Sequence, residues 1–560
     1  MSASRSRSAE GASRPGRPPA HFPKGRQVDD QALVDVRALL DGRERRRDLM
    51  IEYLHLIQDT YGHLSTAHLT ALAQELRLAQ TEVYEVATFY HHFDVVAEGE
   101  TAPAPVTVRV CDGITCESFG CHGLKKDLET AFGPDVRVIS APCVGACDRA
   151  PVAVVGQRQV YGATLDAVKA AVDGGETTAP IPDHMDLDAY RAGGGYAMLS
   201  AIRDGSLSRD DVFAAVEASD LRGLGGAGFP TARKWRFLEG TPKPRLVAIN
   251  ADEGEPGTFK DRLCLESEPH RVLEGALIAA AAVEAEEIYI YLRDEYPAAH
   301  AILSAEMAKL EASGLAGDVR LHLRRGAGAY ICGEESAMLE SIEGKRGLPR
   351  NRPPFPAQRG LFGRPTLINN VETVYWLPEI LARGGEWFEA EGRPHLYSVS
   401  GRVNDPGVKR APAGVTARQL IDDYAGGMLD GHEFMGYLPG GASGGVLPAS
   451  MADLPLDFGA LEEHGCFIGS SAVVVFSDQD DIRAIARNLL AFFEDESCGQ
   501  CTPCRVGCEK IGELLKQPVW DAALIFELSD AMRDASICGL GQAAPNPVLS
   551  ALKFFGEDLS

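Results

Sequence analysis

Apolar residues recur at helical spacing soon after the start of the chain. Leu49, Met50, Tyr53, Leu54 and Ile57 share one face of a run that begins near Arg45, and Gly62 ends it. Ser65 is a fair N-cap for a second helix with Leu69, Leu72, Ala73 and Leu76 along one side. A third helix is predicted over 82–89, giving a helical module across 29–100. The period then falls to two. Val106-Thr-Val-Arg-Val110 alternates as a strand and runs into Cys111. Leu124–Phe132 predicts a helix, Val136–Ser140 a strand leading to Cys143, and Val152–Val155 another strand, so 101–175 reads as a compact α/β unit. Gly174-Gly175 and Pro180-Ile-Pro182 form a linker. A longer α/β region covers 176–395, with strands at Arg245–Asn250, Glu287–Leu292 and Val319–Arg324. Ala-rich helices at Leu273–Val283 and Ala298–Ala312 separate them. Residues 396–484 are β-rich, with turns at Asp405-Pro-Gly407 and Pro439-Gly-Gly441, and 485–560 read as helices punctuated by cysteines. No short-period repeat is visible.

At 560 residues the chain exceeds a single core, so several domains are expected. A 45% hydrophobic and 24% charged composition is that of a globular protein. The net charge of −25 argues against nucleic acid as a partner, because phosphate neutralisation needs surplus Lys and Arg. The greasiest stretches, Leu277–Val283 and Phe467–Phe476, are too short to span a membrane. Residues 1–28 are rich in Ser, Arg, Pro and Gly without an apolar h-region, which disfavours a secretory signal. Composition also admits an organellar transit peptide, but a disordered tail and a cytoplasmic location are the expectation.

The thirteen cysteines are clustered: five lie within 111–147 and five within 498–538. Without a secretion signal, such clustering reads as metal binding rather than disulfides. Cys111 and Cys116, then Cys143 and Cys147, form two short loops, each just after a strand. Four thiolates in two close pairs suit a [2Fe–2S] cluster, and a four-thiolate zinc site is the alternative. Cys121 is left over. Near the other end, Cys498-Gly-Gln-Cys501-Thr-Pro-Cys504 can wrap one corner of a [4Fe–4S] cubane. Two residues compete as fourth ligand: Cys508 after three intervening residues, and Cys538 in the glycine-rich Ser536-Ile-Cys-Gly-Leu-Gly541. Two separate clusters favour electron transfer over a structural staple.

Gly223-Leu-Gly225-Gly-Ala-Gly228 fits G-x-G-x-x-G, although 211–220 before it reads as a helix rather than the strand of an ordinary dinucleotide turn. Its alternative is a tight interdomain turn. A second loop, Arg325-Gly-Ala-Gly-Ala-Tyr-Ile-Cys-Gly-Glu-Glu335, follows a strand and opens a helix. Asn250-Ala-Asp-Glu-Gly-Glu-Pro-Gly257 leaves another strand and offers carboxylates and an amide suited to ribose hydroxyls and a flavin edge.

These segments, with Leu367-Ile-Asn-Asn-Val-Glu-Thr373 and 496–505, resemble the 51-kDa flavin subunit of respiratory complex I. Val83-Tyr-Glu-Val-Ala-Thr-Phe-Tyr90 and the first cysteine quartet resemble its 24-kDa subunit. The resemblance runs over 34–552, and its fusion into one chain looks most like the beta subunit of NAD-dependent, tungsten- or molybdenum-containing formate dehydrogenases. NAD-reducing hydrogenases and complex I modules are similar. It implies a thioredoxin-like [2Fe–2S] domain, a Rossmann-like FMN domain, a ubiquitin-like β-grasp domain of the soluble-ligand-binding kind and a helical [4Fe–4S] bundle. By the same resemblance FMN lies against Gly223, Gly225, Gly226, Lys234, Asn250, Asp252, Gly333, Asn369 and Asn370. NADH uses Phe229, Phe237, Glu255, Tyr330, Glu334, Glu335 and Phe355. Cys538 becomes the fourth cubane ligand and Cys508 an extra. No side chain is required as an acid–base catalyst. A catalytic alpha subunit carrying molybdopterin-bound tungsten or molybdenum and further iron–sulfur clusters is the implied partner. The rival readings are a zinc-stapled non-redox protein and a nucleotide-binding regulatory module.

Overall fold

The computed structural model describes residues 25–556. Of the expected disordered tail, positions 1–24 lie outside the described residues. Residues 25–28 are held instead: the Arg26 N–H donates to Gln80 Oε1 at 3.2 Å and its guanidinium meets Glu98 at 3.0 Å.

Four helices follow, Asp30–Leu39, Met50–Tyr61, Thr66–Leu76 and Gln80–Ala87. The first begins earlier than the periodicity indicates. Its acidic residues dilute the apolar signal, and only Ala32, Val36 and Leu40 are buried along it. Asp29 caps it by accepting from the Ala32 N–H at 2.8 Å. Ser65 caps the Thr66 helix as expected, and Gly62 closes the Met50 helix at φ +77°.

The next sheet has strand order Val136–Ala141, Val106–Cys111, Ala153–Val155, Arg158–Val160, parallel across the first pair and antiparallel thereafter. The short Arg158 strand and the helix Leu165–Asp173 complete this unit beyond the expected elements. A four-stranded parallel sheet then runs Thr366–Asn370, Arg245–Ala251, Ala285–Leu292, Arg320–Arg325. Its two central strands are near-continuously buried, as parallel strands covered by helices must be. Helix Pro269–Val283 packs against it with almost every residue buried. A five-stranded mixed sheet follows, and the helices Ile482–Asp495, Thr502–Leu515, Ala522–Ala535, Gly539–Ala543 and Asn546–Phe554 end the described chain. Among the described residues no helix is long and apolar enough to cross a membrane.

The N-terminal helices are not an independent lobe. Arg324, on the edge strand of the parallel sheet, pairs with Asp48 at 2.8 Å and Glu52 at 2.9 Å, and His55 Nε2 lies 2.8 Å from the Gly326 carbonyl oxygen. One apolar core runs from these helices past the sheet into the C-terminal bundle.

Candidate functional site

Because Val106–Cys111 and Val136–Ala141 are parallel neighbours, the loops after them leave the same end of the sheet. Cys111, Cys116, Cys143 and Cys147 are all buried there, none in a disulfide. Cys143 Sγ lies 3.3 Å from Cys147 Sγ. The loops are so close that a Cβ on Gly113 would sit 3.1 Å from Cys143 Cβ and 3.6 Å from Cys111 Sγ. Hydrogen bonds from Cys111 and Cys147 hold the Cys143 thiol well below its ordinary value. Four soft sulfur donors in two loops, shielded from water, fit a thiolate-bound cluster. Cys121 begins a helix outside this group, and burial pushes its thiol up to about 12.

Near the C-terminus, Cys498 and Cys501 lie in and at the end of the loop before helix Thr502–Leu515, and Cys504 and Cys508 stand one turn apart on that helix. Cys538 caps the short helix Gly539–Ala543. The structure brings both fourth-ligand candidates to Cys504. Cys508 hydrogen-bonds it from within the apolar core, fully buried. Cys538 comes back across space, so that a Cβ on Gly541 would meet Cys504 Cβ at 2.8 Å. Cys498, Cys501 and Cys538 share a half-buried rim.

Between the two clusters is a cavity of about 360 Å³ at the C-terminal edge of the parallel sheet, where such sheets place ligands. Asn250 and Asn370 pair in direct register near the C-terminal ends of neighbouring strands, and both line it. The Asn250 amide donates to the Gly333 carbonyl at 2.8 Å. Asp252 follows, and its Oδ2 is buried without a hydrogen-bond partner; burial holds its pKa well above the carboxylate range. Glycines make room: a Cβ on Gly225 would lie 3.0 Å from Asn370 Cβ, and one on Gly254 would lie 2.9 Å from Tyr330 Cδ2. The amides of Gly225, Gly226 and Ala227 make no backbone hydrogen bond among the described residues, leaving donors for an anion. An orphaned buried carboxylate, free amides and a glycine-lined cradle fit a flat polar cofactor with a phosphate.

Of the other expected residues, Glu255, Tyr330, Gly333 and Glu334 also line the cavity. Tyr330 OH donates to Glu255 Oε2, whose other oxygen accepts from the Ser443 N–H at 2.6 Å; burial raises the Glu255 pKa. Glu334 caps helix Glu335–Ile342 by accepting from Ser336 and Ala337 N–H groups, both at 2.9 Å. The remaining expected residues do not line it. Phe229 and Phe237 lie with ring centroids 5.8 Å apart, Phe237 and Phe355 are each 52% exposed, and Lys234 lies 3.5 Å from Glu335. Gly223 shapes the loop by donating to the Phe229 carbonyl at 2.9 Å without lining the cavity. Asn369 points away: its Oδ1 accepts from Trp235 Nε1 at 3.1 Å, because neighbouring residues of a strand face opposite sides.

Sequence reasoning misses Glu253, Lys260, Asp261, Ser443 and Leu540, which also line the cavity. The charged run 252–262 is the available signal for the first three. It misses as well Arg293, 4% exposed, which donates to the Glu253 carbonyl and, at 2.7 Å, to the Cys143 carbonyl. One side chain thus ties the Cys143–Cys147 loop to the cavity wall.

Comparison with known proteins gives three family matches. Residues 216–379 match the Nuo51 FMN-binding domain, residues 36–175 the thioredoxin-like [2Fe-2S] ferredoxin, and residues 484–560 the NADH-ubiquinone oxidoreductase-F iron-sulfur binding region. An NADH-quinone oxidoreductase subunit of Rhizobium meliloti (strain 1021) is 41% identical over 395 residues, 67% of this chain and 94% of that protein. An NADH-quinone oxidoreductase subunit of Aquifex aeolicus (strain VF5) is 41% identical over 400 residues, 67% of this chain and 91% of its own length. Among solved structures, a chain of an NAD+-reducing [NiFe]-hydrogenase in the air-oxidised state superposes with a TM-score of 0.81 at 33% identity. That alignment covers 92% of this chain and 94% of the other.

Proposed function

We propose that this chain, which belongs to the 51-kDa family of NADH dehydrogenase flavoproteins, is the diaphorase subunit of an NAD-linked formate dehydrogenase complex. Its reaction is the reversible exchange of a nicotinamide hydride for single electrons. One observation carries the reading: residues of the cavity wall adjoin both cysteine clusters, although no cysteine lines the cavity itself. Gly539 and Leu540, directly after Cys538, line it on one side. On the other, Gly254 and Tyr330 also flank a narrow gap that reaches Cys143.

FMN, when bound, supplies the conversion between two-electron hydride and one-electron chemistry. Gly225, Gly226, Asn250, Asp252, Gly333 and Asn370 would hold it from the cavity wall, with Gly223, Lys234 and Asn369 shaping or flanking the loops around it. The exposed rings of Phe229, Phe237 and Phe355 give an adenine a stacking surface. Glu334 and Glu335, beside them, offer carboxylates to ribose hydroxyls. Glu255 and Tyr330 hold each other at the inner wall and keep the nicotinamide end oriented. Cys111, Cys116, Cys143 and Cys147 would hold the [2Fe–2S] cluster, and Cys498, Cys501, Cys504 and Cys538 the [4Fe–4S] cluster. The half-exposed Cys498, Cys501 and Cys538 would leave the latter open to a partner subunit.

Formate chemistry then belongs to a partner with molybdopterin-bound tungsten or molybdenum. A second reading, the diaphorase of an NAD-reducing hydrogenase, is favoured by the end-to-end likeness to that enzyme's chain. The test is in two parts. In the reconstituted chain NADH should bleach the flavin, and Cys501→Ser should keep that bleaching while abolishing electron passage to a cluster-dependent acceptor; passage at the wild-type rate refutes the wiring. Purifying the native complex and identifying its metal separates the two contexts: tungsten or molybdenum supports formate, nickel supports hydrogen.

A further inference from the structure

The cavity wall is strongly one-signed. Asp252, Glu253, Glu255, Asp261 and Glu334 line it, and Lys260 is the one Lys or Arg among its lining residues. Lys260 is 1% exposed, an unusual place for an ammonium. Its Nζ lies 2.9 Å from Asp261 Oδ1 and 2.9 Å from Glu372 Oε2. Asp261 Oδ2 accepts from Asn370 Nδ2 at 2.6 Å, and Asn370 Oδ1 accepts from the Glu372 N–H at 2.9 Å. The contacts close a ring, Lys260–Asp261–Asn370–Glu372, in which Lys260, Asp261 and Asn370 face the cavity and Glu372 is wholly buried. Burial alone would favour losing the ammonium proton. The charges of Asp261, Glu372 and Glu253 more than offset it, so the Lys260 pKa is raised and the cation persists.

Resting on the flavin reading of this cavity, we propose that Lys260 is a positioning residue that sets the reduction potential of the bound flavin through its buried charge. A hydride from NADH carries two electrons and one proton, so its acceptance adds one negative charge to the site. Those wall carboxylates that stay ionised oppose that charge and one desolvated cation favours it, at a range where the surroundings screen little. The ring also fixes Asn370, so the charge is held at a constant place relative to the cavity wall.

The experiment uses the full chain loaded with FMN and follows the flavin midpoint by spectroelectrochemical titration, with FMN affinity measured by fluorescence. In Lys260→Met the reduced form should lose at least tenfold in affinity relative to the oxidised form, a fall of about 30 mV for a two-electron couple. Lys260→Arg, which keeps the charge, and the pair Lys260→Met with Glu372→Gln, which restores the net charge, should recover most of that shift. If Lys260→Met does not fold, Glu372→Gln alone serves, and it should raise the potential. A loaded Lys260→Met with an unchanged midpoint, an equal fall in the charge-restored pair, or no rise in Glu372→Gln would overturn the inference. Failure of the wild-type chain to bind FMN would instead remove the flavin reading and this inference with it.

Discussion

Gly254 shows how single residues build this site. Its neighbour across the cavity wall is the Tyr330 ring, at 2.9 Å from where a Cβ would stand. Tyr330 cannot retreat, because its N–H donates to Glu496 at 2.9 Å and its hydroxyl to Glu255. Gly254→Ala should therefore push the ring into the cavity and weaken FMN binding by tenfold or more in a fluorescence titration, with circular dichroism unchanged. Glu253 makes a different prediction. Burial first, and the Asp261 charge second, raise its pKa to about 7. A raised carboxyl pKa means that the folded state holds the proton more tightly. Its stabilising contribution is complete below the ordinary value of 4.5 and is lost as pH rises through 7. Glu253→Gln should flatten the decline in thermal midpoint between those two values, while a slope equal to wild type would show that another group titrates. At this scale the cysteine pairs and glycine loops are legible from spacing alone. Lys260 is not, since a lysine in a charged run looks solvated until its partner Glu372 folds against it.

Elements are legible where apolar periodicity is undiluted. The strands Arg245–Ala251 and Ala285–Leu292 stand nearly as their sequence indicates, because buried parallel strands are apolar throughout. Helix Asp30–Leu39 and strand Arg158–Val160 do not announce themselves, being short and rich in charge or polar residues. How elements pack is hidden altogether. Arg324 sits on an edge strand yet is buried under the N-terminal helices by Asp48 and Glu52. Removing one partner of a buried pair leaves the other charge desolvated, at a cost of about 3–5 kcal/mol. Arg324→Met should accordingly detach the helical module, seen as faster proteolysis within 40–50 and a lower unfolding midpoint; unchanged proteolysis would mean that the apolar core alone holds it.

Over the whole molecule, the parts are wired by contacts between segments remote in sequence. Arg293 reaches a carbonyl 150 residues away at Cys143 while also donating to Glu253. Arg293→Met leaves two buried carbonyls short of a donor. The expected result is a shifted electron paramagnetic resonance signal from the [2Fe–2S] site together with weaker FMN binding, whereas a change in only one would show that the two sites are held separately. The amino-acid order by itself determined which donors exist, in what local spacing, and which stretches form strands or helices, since these depend on near neighbours along the chain. Only the tertiary structure decided which of those donors share one cavity, which way Asn369 and Asn370 point, and which charges are buried. Desolvation and charge pairing are properties of neighbours in space, and the sequence does not state who those are.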